Sequence, residues 1–296
     1  MRRFLGLIEW MALFREIFNG RSNKTYGKHH ITNIYRQFQN EFLVQKQDII
    51  AAEYSIKQFC KNINIVNLGK LTRIGPKYDA GYISLDMFQK PRIISGGAGK
   101  NIEFEKFFAS RGSVVDLYDP TIEKLKFESS NITHYETALE GHKSGKFQNS
   151  INLDSALRII KSKGTLSNNG LYLKIDIEGS EWGLIEKSVN NLKEFDQIFV
   201  EFHDLHKLTE RSFRQTYIKV NKFLAYNFYM VAISANNWNH FVNFGKSFTP
   251  QTYEVTYINK FHKNRILKNK LSNFKEYIYP NNKSRPLIYN QPFFMD

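Results

Sequence analysis

The sequence predicts an α/β fold in which helices cover a mostly parallel sheet. From residue 92 onward, short strand-like runs alternate with longer helical segments, which is typical of parallel strands joined by helical crossovers. The last two runs have no convincing helix between them, so we expect them to close the sheet as an antiparallel pair. Hydrophobic residues form 42% of the 296 residues, which is enough to build a buried core.

Seven strand-like runs and four helical segments follow one another along this region. The runs are residues 92–95, 114–119, 132–135, 171–177, 197–202, 228–234 and 253–258. The helical segments lie near residues 102–111, 152–163, 180–192 and 210–226. The interval between the last two runs is interpreted as a long loop.

Basic residues are concentrated at the two ends of the chain, whose net charge is +14. Residues 1–61 carry ten Lys or Arg against five Asp or Glu, and residues 259–296 carry eight against two. The centre carries 24 against 21. We therefore predict a helical extension over 1–61, a main domain over 62–258 and a basic appendage over 259–296. Basic flanks can bind nucleic acid or an anionic membrane surface, or can reflect an AT-rich coding sequence.

An amphipathic helix is predicted within the first 24 residues. Its apolar positions recur at helical spacing: Phe4, Leu7, Ile8, Met11, Phe14 and Phe18. The run is too short and too charged to span a bilayer, so it can pack on the protein or a partner, or lie on a membrane surface. The single cysteine, Cys60, excludes an intrachain disulfide. We expect a cytoplasmic protein, either free or held peripherally at a membrane through residues 1–24.

A glycine-rich turn follows the first strand-like run. Gly96, Gly97 and Gly99 let the backbone pass close to a nucleotide, and the helix that follows offers free N–H groups. The turn lacks the Gly-Lys-Ser/Thr of a phosphate-binding loop, and Ile102 stands where the dinucleotide fingerprint has its third glycine. By itself, the turn fits a nucleotide site or a tight structural turn.

An aspartate at the end of the second run adds to this turn. Asp119 follows Gly99 at a spacing from which a carboxylate can accept hydrogen bonds from both ribose hydroxyls of a nucleoside, although it could instead cap the next helix. Without a third glycine, S-adenosylmethionine fits this arrangement better than NAD. Glu105, in the first turns of the following helix, could contact the amino group of the cofactor.

A series of short motifs resembles, in the same order, the FkbM family of S-adenosylmethionine-dependent methyltransferases. The motifs are RIGPKYDAGY (73–82), SGGAGKNIEFE (95–105), VDLYDPT (115–121), Ala138-Leu139, Leu153-Asp154, LKIDIEGSE (173–181), VEFH (200–203), Asn236-Asn237 and PQTYEVTY (250–257). The segment 173–181 is the most specific of them. Ala80 departs from the family pattern, because it replaces a glycine of the entry motif.

This resemblance implies a class I methyltransferase fold, which is a Rossmann-like sheet of seven strands with an antiparallel last strand. It implies S-adenosylmethionine as the cofactor and O-methylation, often of hydroxyls on sugars or natural products. Ala138 and Leu139 correspond to positions that line the adenine site in the family. Asp79 and Tyr82, from the entry motif, are candidate substrate contacts.

Two amides after the sixth run are also candidate substrate contacts. Asn236 and Asn237 could bind the hydroxyls of an acceptor through their side-chain amides. The aromatic side chains that follow, Trp238, His240 and Phe241, could stack on a sugar ring or could equally belong to the core.

Four side chains at the ends of the fourth and fifth runs are candidates for the chemistry. Asp176 and Glu178 alternate along one strand end, and Glu201 and His203 alternate along the other, so each pair points to one side. A hydroxyl is a poor nucleophile until it loses its proton, which requires a general base or a metal ion. His203 is the preferred base because its usual pKa is nearest neutrality.

The same cluster leaves two other interpretations open. Asp176, Glu201 and His203 could hold Mg²⁺ or another divalent cation through oxygen and nitrogen ligands, or the four side chains could have structural roles. Glu181 lies at the start of a predicted helix, where we expect its negative charge to favour the helix dipole.

Two other classes of function compete with a sugar or glycan O-methyltransferase. One is a methyltransferase acting on RNA or another nucleic acid, but the nearly neutral centre and the lack of an Asn/Asp-Pro-Pro-Tyr/Phe motif make a nucleic-acid partner the weaker prediction. The other is a non-catalytic nucleotide-binding scaffold. The intact glycine turn, Asp119 and Asp176 argue against the scaffold.

Overall fold

The computed structural model describes residues 44–122, 130–141, 147–163, 170–238, 241–265 and 274–281. The predicted amphipathic helix lies outside this part of the chain, so membrane contact through residues 1–24 stays a prediction. The division into an extension, a main domain and an appendage also stays a prediction. No helix in the described part is long and apolar enough to cross a membrane.

Seven strands form the central sheet. The strands along the chain are β1 (Leu71–Ile74), β2 (Tyr82–Leu85), β3 (Arg92–Gly96), β4 (Val115–Tyr118), β5 (Ile132–Tyr135), β6 (Ala138–Leu139), β7 (Ser150–Ile151), β8 (Leu171–Ile175), β9 (Gln197–Phe202), β10 (Phe228–Ala235), β11 (Phe241–Phe244), β12 (Ser247–Pro250) and β13 (Tyr253–Asn259). The order in the central sheet is β10–β13–β9–β8–β3–β4–β5. β13 is antiparallel to β9 and β10, and the other neighbouring pairs are parallel. The predicted Rossmann-like α/β fold of the class I methyltransferase type, with an antiparallel last strand, is confirmed.

Helices connect the parallel strands as the alternating pattern predicts. They are α1 (Lys46–Asn62), α2 (Glu103–Ala109), α3 (Leu153–Ser162), α4 (Glu181–Lys187), α5 (Val189–Leu192) and α6 (Arg211–Asn227). The start of α3 shows a local cause, because Oδ1 of Asn152 accepts a hydrogen bond from the Ser155 N–H at 2.9 Å and caps the first turn. Short 3₁₀ segments cover Leu205–Thr209, Lys260–Arg265 and Phe274–Tyr277.

Both faces of the sheet are buried, since alternate residues of its strands point to opposite sides. Ile94 and Leu173 pack among apolar side chains of α1, α3, α4 and α6. Ile93 and Tyr172 face the other way and pack against α2 and the hairpin of β1 and β2. The helices therefore hold the carboxyl ends of β3, β4, β8 and β9 side by side at one edge of the sheet.

Two hairpins depart from the sequence interpretation. β1 pairs with β2, and β11 pairs with β12 in the interval that was interpreted as a loop. Gly245, with φ +63°, makes the turn of the second hairpin. Each of these strands has four residues, which is too few for a two-residue alternation to stand out from loop sequence.

Candidate active site

A cavity of about 600 Å³ opens at the carboxyl ends of the parallel strands. This is the edge at which open α/β sheets bind ligands, and the volume suits a small molecule. Most of the predicted site residues line it together: Asp79, Gly97, Gly99, Asp119, Ala138, Leu139, Asp176, Glu178, Glu201, His203 and Asn236. The sequence therefore located the cavity through residues that are far apart along the chain.

Four predicted site residues lie behind the wall of this cavity. Gly96 packs against Leu139, and a Cβ at Gly96 would lie 2.9 Å from Cδ2 of that leucine. Glu105 is fully buried and accepts a hydrogen bond from the Ser95 hydroxyl at 2.5 Å. Tyr82 and Asn237 are also buried. These four residues can support the cavity wall. Tyr82 does so because its hydroxyl donates a hydrogen bond to Oδ2 of Asp176 at 2.9 Å.

The conformation of the glycine turn is fixed because the turn lies very close to the end of β8, the neighbouring strand in the sheet. Gly97 has φ +71°, and a Cβ at this position would lie 1.7 Å from the carbonyl oxygen of Asp176. Only glycine fits such an approach. Gly99 also has a positive φ, +55°, but a Cβ there would meet no atom within 4 Å.

Asp119 holds the glycine turn with its carboxylate. One oxygen accepts hydrogen bonds from the N–H groups of Ala98 and Gly99, at 2.8 and 2.9 Å. The other accepts from the N–H and hydroxyl of Thr121, at 2.7 and 2.6 Å. Burial opposes ionisation of Asp119, but these hydrogen bonds outweigh it and hold the pKa below its usual value. The turn thus carries a fixed negative charge, and the two N–H groups are not available to a phosphate.

The cavity has an apolar end and an acidic end. Ala138 and Leu139 line the apolar end, close to Tyr118 and Phe147. Asp79, Asp176, Glu178 and Glu201 converge at the tips of the strands and form the acidic end. Such a lining favours a ligand with a flat apolar group and positive charge.

His203 lies among carboxylates at the acidic end. Its Nδ1 is 3.0 Å from Oε1 of Glu181, so Nδ1 carries the proton and Nε2 faces the other acids. Nε2 is 3.6 Å from Oε2 of Glu178 and 4.0 Å from Oε1 of Glu201. Burial alone would lower the pKa of His203, but the Glu181 carboxylate, helped by Glu201 and Asp176, raises it well above its usual value.

Glu181 has a larger role than the sequence indicated. It is fully buried at the start of α4, and its carboxylate accepts hydrogen bonds from the N–H groups of Ile177 and Gly179, at 3.0 and 3.1 Å. It therefore shapes the loop after β8 and orients His203. In the sequence, the available signal was that Glu181 stands directly after the Gly179 turn. Its bond to His203, 22 positions further along the chain, could not be predicted from that position.

Lys174 is a site residue that the sequence analysis missed. Its side chain is 1% exposed, its Nζ donates a hydrogen bond to the carbonyl of Gly97, and Nζ lies 3.5 Å from Oδ2 of Asp176. Burial lowers the pKa of Lys174, but Asp176 and Glu105 outweigh it and raise the pKa. A lysine inside the otherwise apolar strand β8 was the available signal. Lys174 therefore connects the glycine turn to the acidic end through these two contacts.

Three of these side chains are arranged so that they could hold a cation. Asp176, Glu178 and His203 each offer one ligand atom, and these atoms lie within 4.8 Å of one another. The predicted set had Glu201 in place of Glu178. Glu201 instead accepts a 2.5 Å hydrogen bond from the Asn236 amide, which is therefore engaged inside the protein.

Asn281, in the predicted appendage, contacts the acidic end through Asp79. The Asn281 amide donates hydrogen bonds to Glu254 at 2.6 Å and to Asp79 at 3.3 Å. Burial raises the pKa of Glu254 to about 7. Trp238, which is 43% exposed, lines the cavity and its side chain bonds to Asp79. His240 lies outside the described residues.

Comparisons with known proteins do not identify a family for this chain. No protein-family model matches the chain, and no curated protein matches it in sequence. Among solved structures, the fibrillarin pre-rRNA processing protein of Methanococcus jannaschii is similar with a TM-score of 0.35 and 12% identity. The match covers 60% of this chain and 70% of that protein. At this level the two chains superpose only loosely.

Proposed function

We propose that this protein is an S-adenosylmethionine-dependent O-methyltransferase whose acceptor is a hydroxyl of a sugar or glycan. The observation that carries the proposal is the pair formed by His203 and Glu181. Glu181 fixes Nδ1 of the imidazole and leaves Nε2 among the groups that line the cavity. A histidine oriented in this way can accept the proton of a hydroxyl.

The cavity suits S-adenosylmethionine better than a dinucleotide. This cofactor is a nucleoside that carries a positively charged sulfur and an amino-acid group, so its net charge is positive and it has no phosphate. The acidic end would face the positive charges, and Ala138 and Leu139 would hold the adenine. The N–H groups of Ala98 and Gly99, which a pyrophosphate would need, are already bonded to Asp119. When bound, the cofactor supplies a methyl group that is activated by the charge on sulfur.

Asp119 would serve this cofactor mainly by shaping the turn. Each of its oxygens already accepts two hydrogen bonds within the protein, so a ribose hydroxyl would have to compete with them. The FkbM resemblance supports the same cofactor, because its motifs at 95–105 and 173–181 supply the glycine turn and the tip of β8.

The protein would act on the acceptor through position and proton transfer. Holding the acceptor oxygen, the methyl carbon and the sulfur nearly in line can supply about 7–11 kcal/mol of the barrier. Nε2 of His203 would accept the proton that the acceptor hydroxyl gives up when it takes the methyl group. Glu181 then stabilises the imidazolium. Because the pKa of His203 is raised, the imidazole must first lose its own proton, and activity should rise with pH.

A divalent cation is the competing way to activate the hydroxyl. Asp176, Glu178 and His203 would hold it with two oxygens and one nitrogen, a set that suits Mg²⁺ or Mn²⁺. Nε2 of His203 cannot hold a cation and accept a proton at once, so the two mechanisms exclude each other. We favour the base, because the surrounding carboxylates raise the pKa of His203 and so make Nε2 a stronger proton acceptor.

The acceptor should be a neutral polyol. Six carboxylates line the cavity, and they would repel the phosphates of RNA or DNA. Trp238 offers an exposed ring near Asp79, and a sugar ring can stack on such a surface.

The experiment is a methyl-transfer assay with labelled S-adenosylmethionine, offering free sugars, oligosaccharides and RNA, between pH 6 and 9, with Mg²⁺ or with EDTA. We expect transfer to a sugar hydroxyl that survives EDTA and rises with pH. Glu181→Gln should lower the maximum and shift the rise to lower pH, because it removes the charge that raises the pKa of His203. RNA as the sole acceptor would contradict the acceptor class. Loss of methyl transfer in EDTA and its rescue by Mg²⁺ would show that a cation, and not His203 as a base, activates the hydroxyl.

A further inference from the structure

A second cavity, of about 460 Å³, lies far from the strand tips. It is formed by the second half of α1 and the segment after it, the middle and end of α6, the beginning of β10 and the end of β13. It shares no lining residue with the candidate active site. Its volume falls in the range of small-molecule sites, which is about 300–1,000 Å³.

The floor of this cavity is apolar. Phe59, Phe228 and Met230 are buried and line it, and Val66 and Ile218 extend the same surface. Apolar surface of this kind favours the hydrocarbon part of a ligand.

The charge of this cavity is entirely positive. Lys222 and Lys260 line it, and the described residues that line it include no carboxylate. Lys260 uses one of its donors on the carbonyl of Ala225 at 2.6 Å, and an ammonium group has three. An anion at this cavity would meet two lysines and no competing acid.

A buried hydroxyl in the wall lacks a partner. Tyr217 is 2% exposed, and its hydroxyl makes no hydrogen bond to any described residue. Nearly all buried polar groups in proteins are hydrogen-bonded, so an unpaired one needs an explanation. The hydroxyl oxygen itself has almost no accessible surface, so a ligand in the cavity does not reach it, and the two lysines are the charged contacts that the cavity offers.

We propose that this cavity binds a single-chain anionic amphiphile, such as a fatty acid. The apolar floor would hold the chain, and Lys222 and Lys260 would offset the negative charge. A two-chain lipid is too large for about 460 Å³. This site is independent of the proposed methyl transfer, because the two cavities have no residue in common.

The test is calorimetric titration of the full chain with dodecanoate, with 1-dodecanol as the neutral match. We expect saturable binding of dodecanoate at micromolar concentration and binding of dodecanol that is weaker by about tenfold. Lys222→Gln should remove most of that preference. Tyr217→Phe removes a hydroxyl that the cavity does not reach, and should leave the Kd for dodecanoate unchanged. Lys219→Gln, on the same helix but outside the cavity, should change nothing, and S-adenosylhomocysteine should not compete.

Three results would overturn the proposal. One is the absence of saturable dodecanoate binding. The second is equal binding of acid and alcohol, which would leave only unspecific apolar contact. The third is binding to anionic vesicles without binding of dodecanoate, which would assign the lysines to a membrane surface.

Discussion

The two cavities carry opposite charge within one basic chain. The candidate active site is lined by six carboxylates against Lys100 and His203, whereas the second cavity has Lys222 and Lys260 and no carboxylate among its described lining residues. The net charge of the whole chain, +14, does not predict the local charge of either cavity. Local charge, set by which strand ends and helix faces meet, determines which ligand each cavity favours.

The two cavities also differ in how their polar groups are held. In the candidate active site, Lys174, Glu181 and Asp119 each bond to backbone groups of the loops that form it, so the geometry is fixed before a ligand arrives. In the second cavity the hydroxyl of Tyr217 is unpaired. Mutations should therefore affect chemistry and stability in the first region, and mainly ligand affinity in the second.

Among the substitutions that distinguish the two cavities, His203→Ala should have the largest effect. Loss of a general base lowers the rate by about 10²–10⁴-fold. We expect that loss in kcat, with the Kd for S-adenosylmethionine changed by less than about threefold and dodecanoate binding unchanged. The measurement is steady-state kinetics beside calorimetry.

His206→Ala is the matched control, because His206 is three residues further along and does not line the cavity. It should keep near-normal kcat. Equal activity in His203→Ala and His206→Ala would exclude His203 as the base.

Lys174→Met should destabilise the protein most strongly. It would leave Glu105 and Asp176 without their buried cation, and breaking such a pair costs about 3–5 kcal/mol. Urea unfolding measures the loss, and Lys174→Arg should recover part of it. A variant as stable as the native protein would mean that the acidic end does not depend on this lysine.

The buried carboxylate of Glu254 should make stability depend on pH. Its pKa is raised from 4.5 to about 7 in the folded protein, so between these values the folded state keeps a proton that the unfolded chain has lost. Stability from this group is therefore present at low pH and is lost as pH rises toward 7, by about 1–3 kcal/mol. Glu254→Gln should flatten the dependence, and Glu276→Gln, at an exposed position, should not. An identical pH dependence in both variants would contradict the assignment.

Gly97→Ala should weaken cofactor binding more than Gly99→Ala. Both glycines have positive φ, but only at Gly97 would the new methyl group collide with backbone. We expect the Kd for S-adenosylmethionine to rise more than about tenfold in the first variant and less in the second. Equal effects would show that strain alone, and not the contact with Asp176, governs the turn.

The smallest effect should be a gain in stability from Tyr217→Phe. The change removes a buried hydroxyl without a partner, so the free energy of unfolding should rise by up to about 1 kcal/mol without ligand. A loss of more than about 1 kcal/mol would show that the hydroxyl is satisfied within the protein.

The sheet could be predicted from the sequence because the signals for its strands and turns are local. Alternation of strand-like and helical segments, a glycine turn and an aspartate at a strand end can be recognised without knowing any tertiary contact. The short hairpins were missed because four-residue strands carry too little periodicity.

The sequence predicted which residues meet at the site better than it predicted what each one does. Asp119 bonds to its own turn, Asn236 is engaged by Glu201, and Glu181 orients His203. Lys174 was missed altogether. These roles depend on side chains from separate strands meeting at hydrogen-bond distance, and no spacing in the sequence encodes that.

The most direct test of the account is calorimetric titration of the protein with S-adenosylmethionine and, separately, with NAD. We predict saturable binding of S-adenosylmethionine, weakened at least about tenfold in Asp119→Ala, and no binding of NAD. Binding of NAD, or an absence of binding by S-adenosylmethionine in a folded protein, would contradict the claim that the acidic cavity is built for a cationic nucleoside.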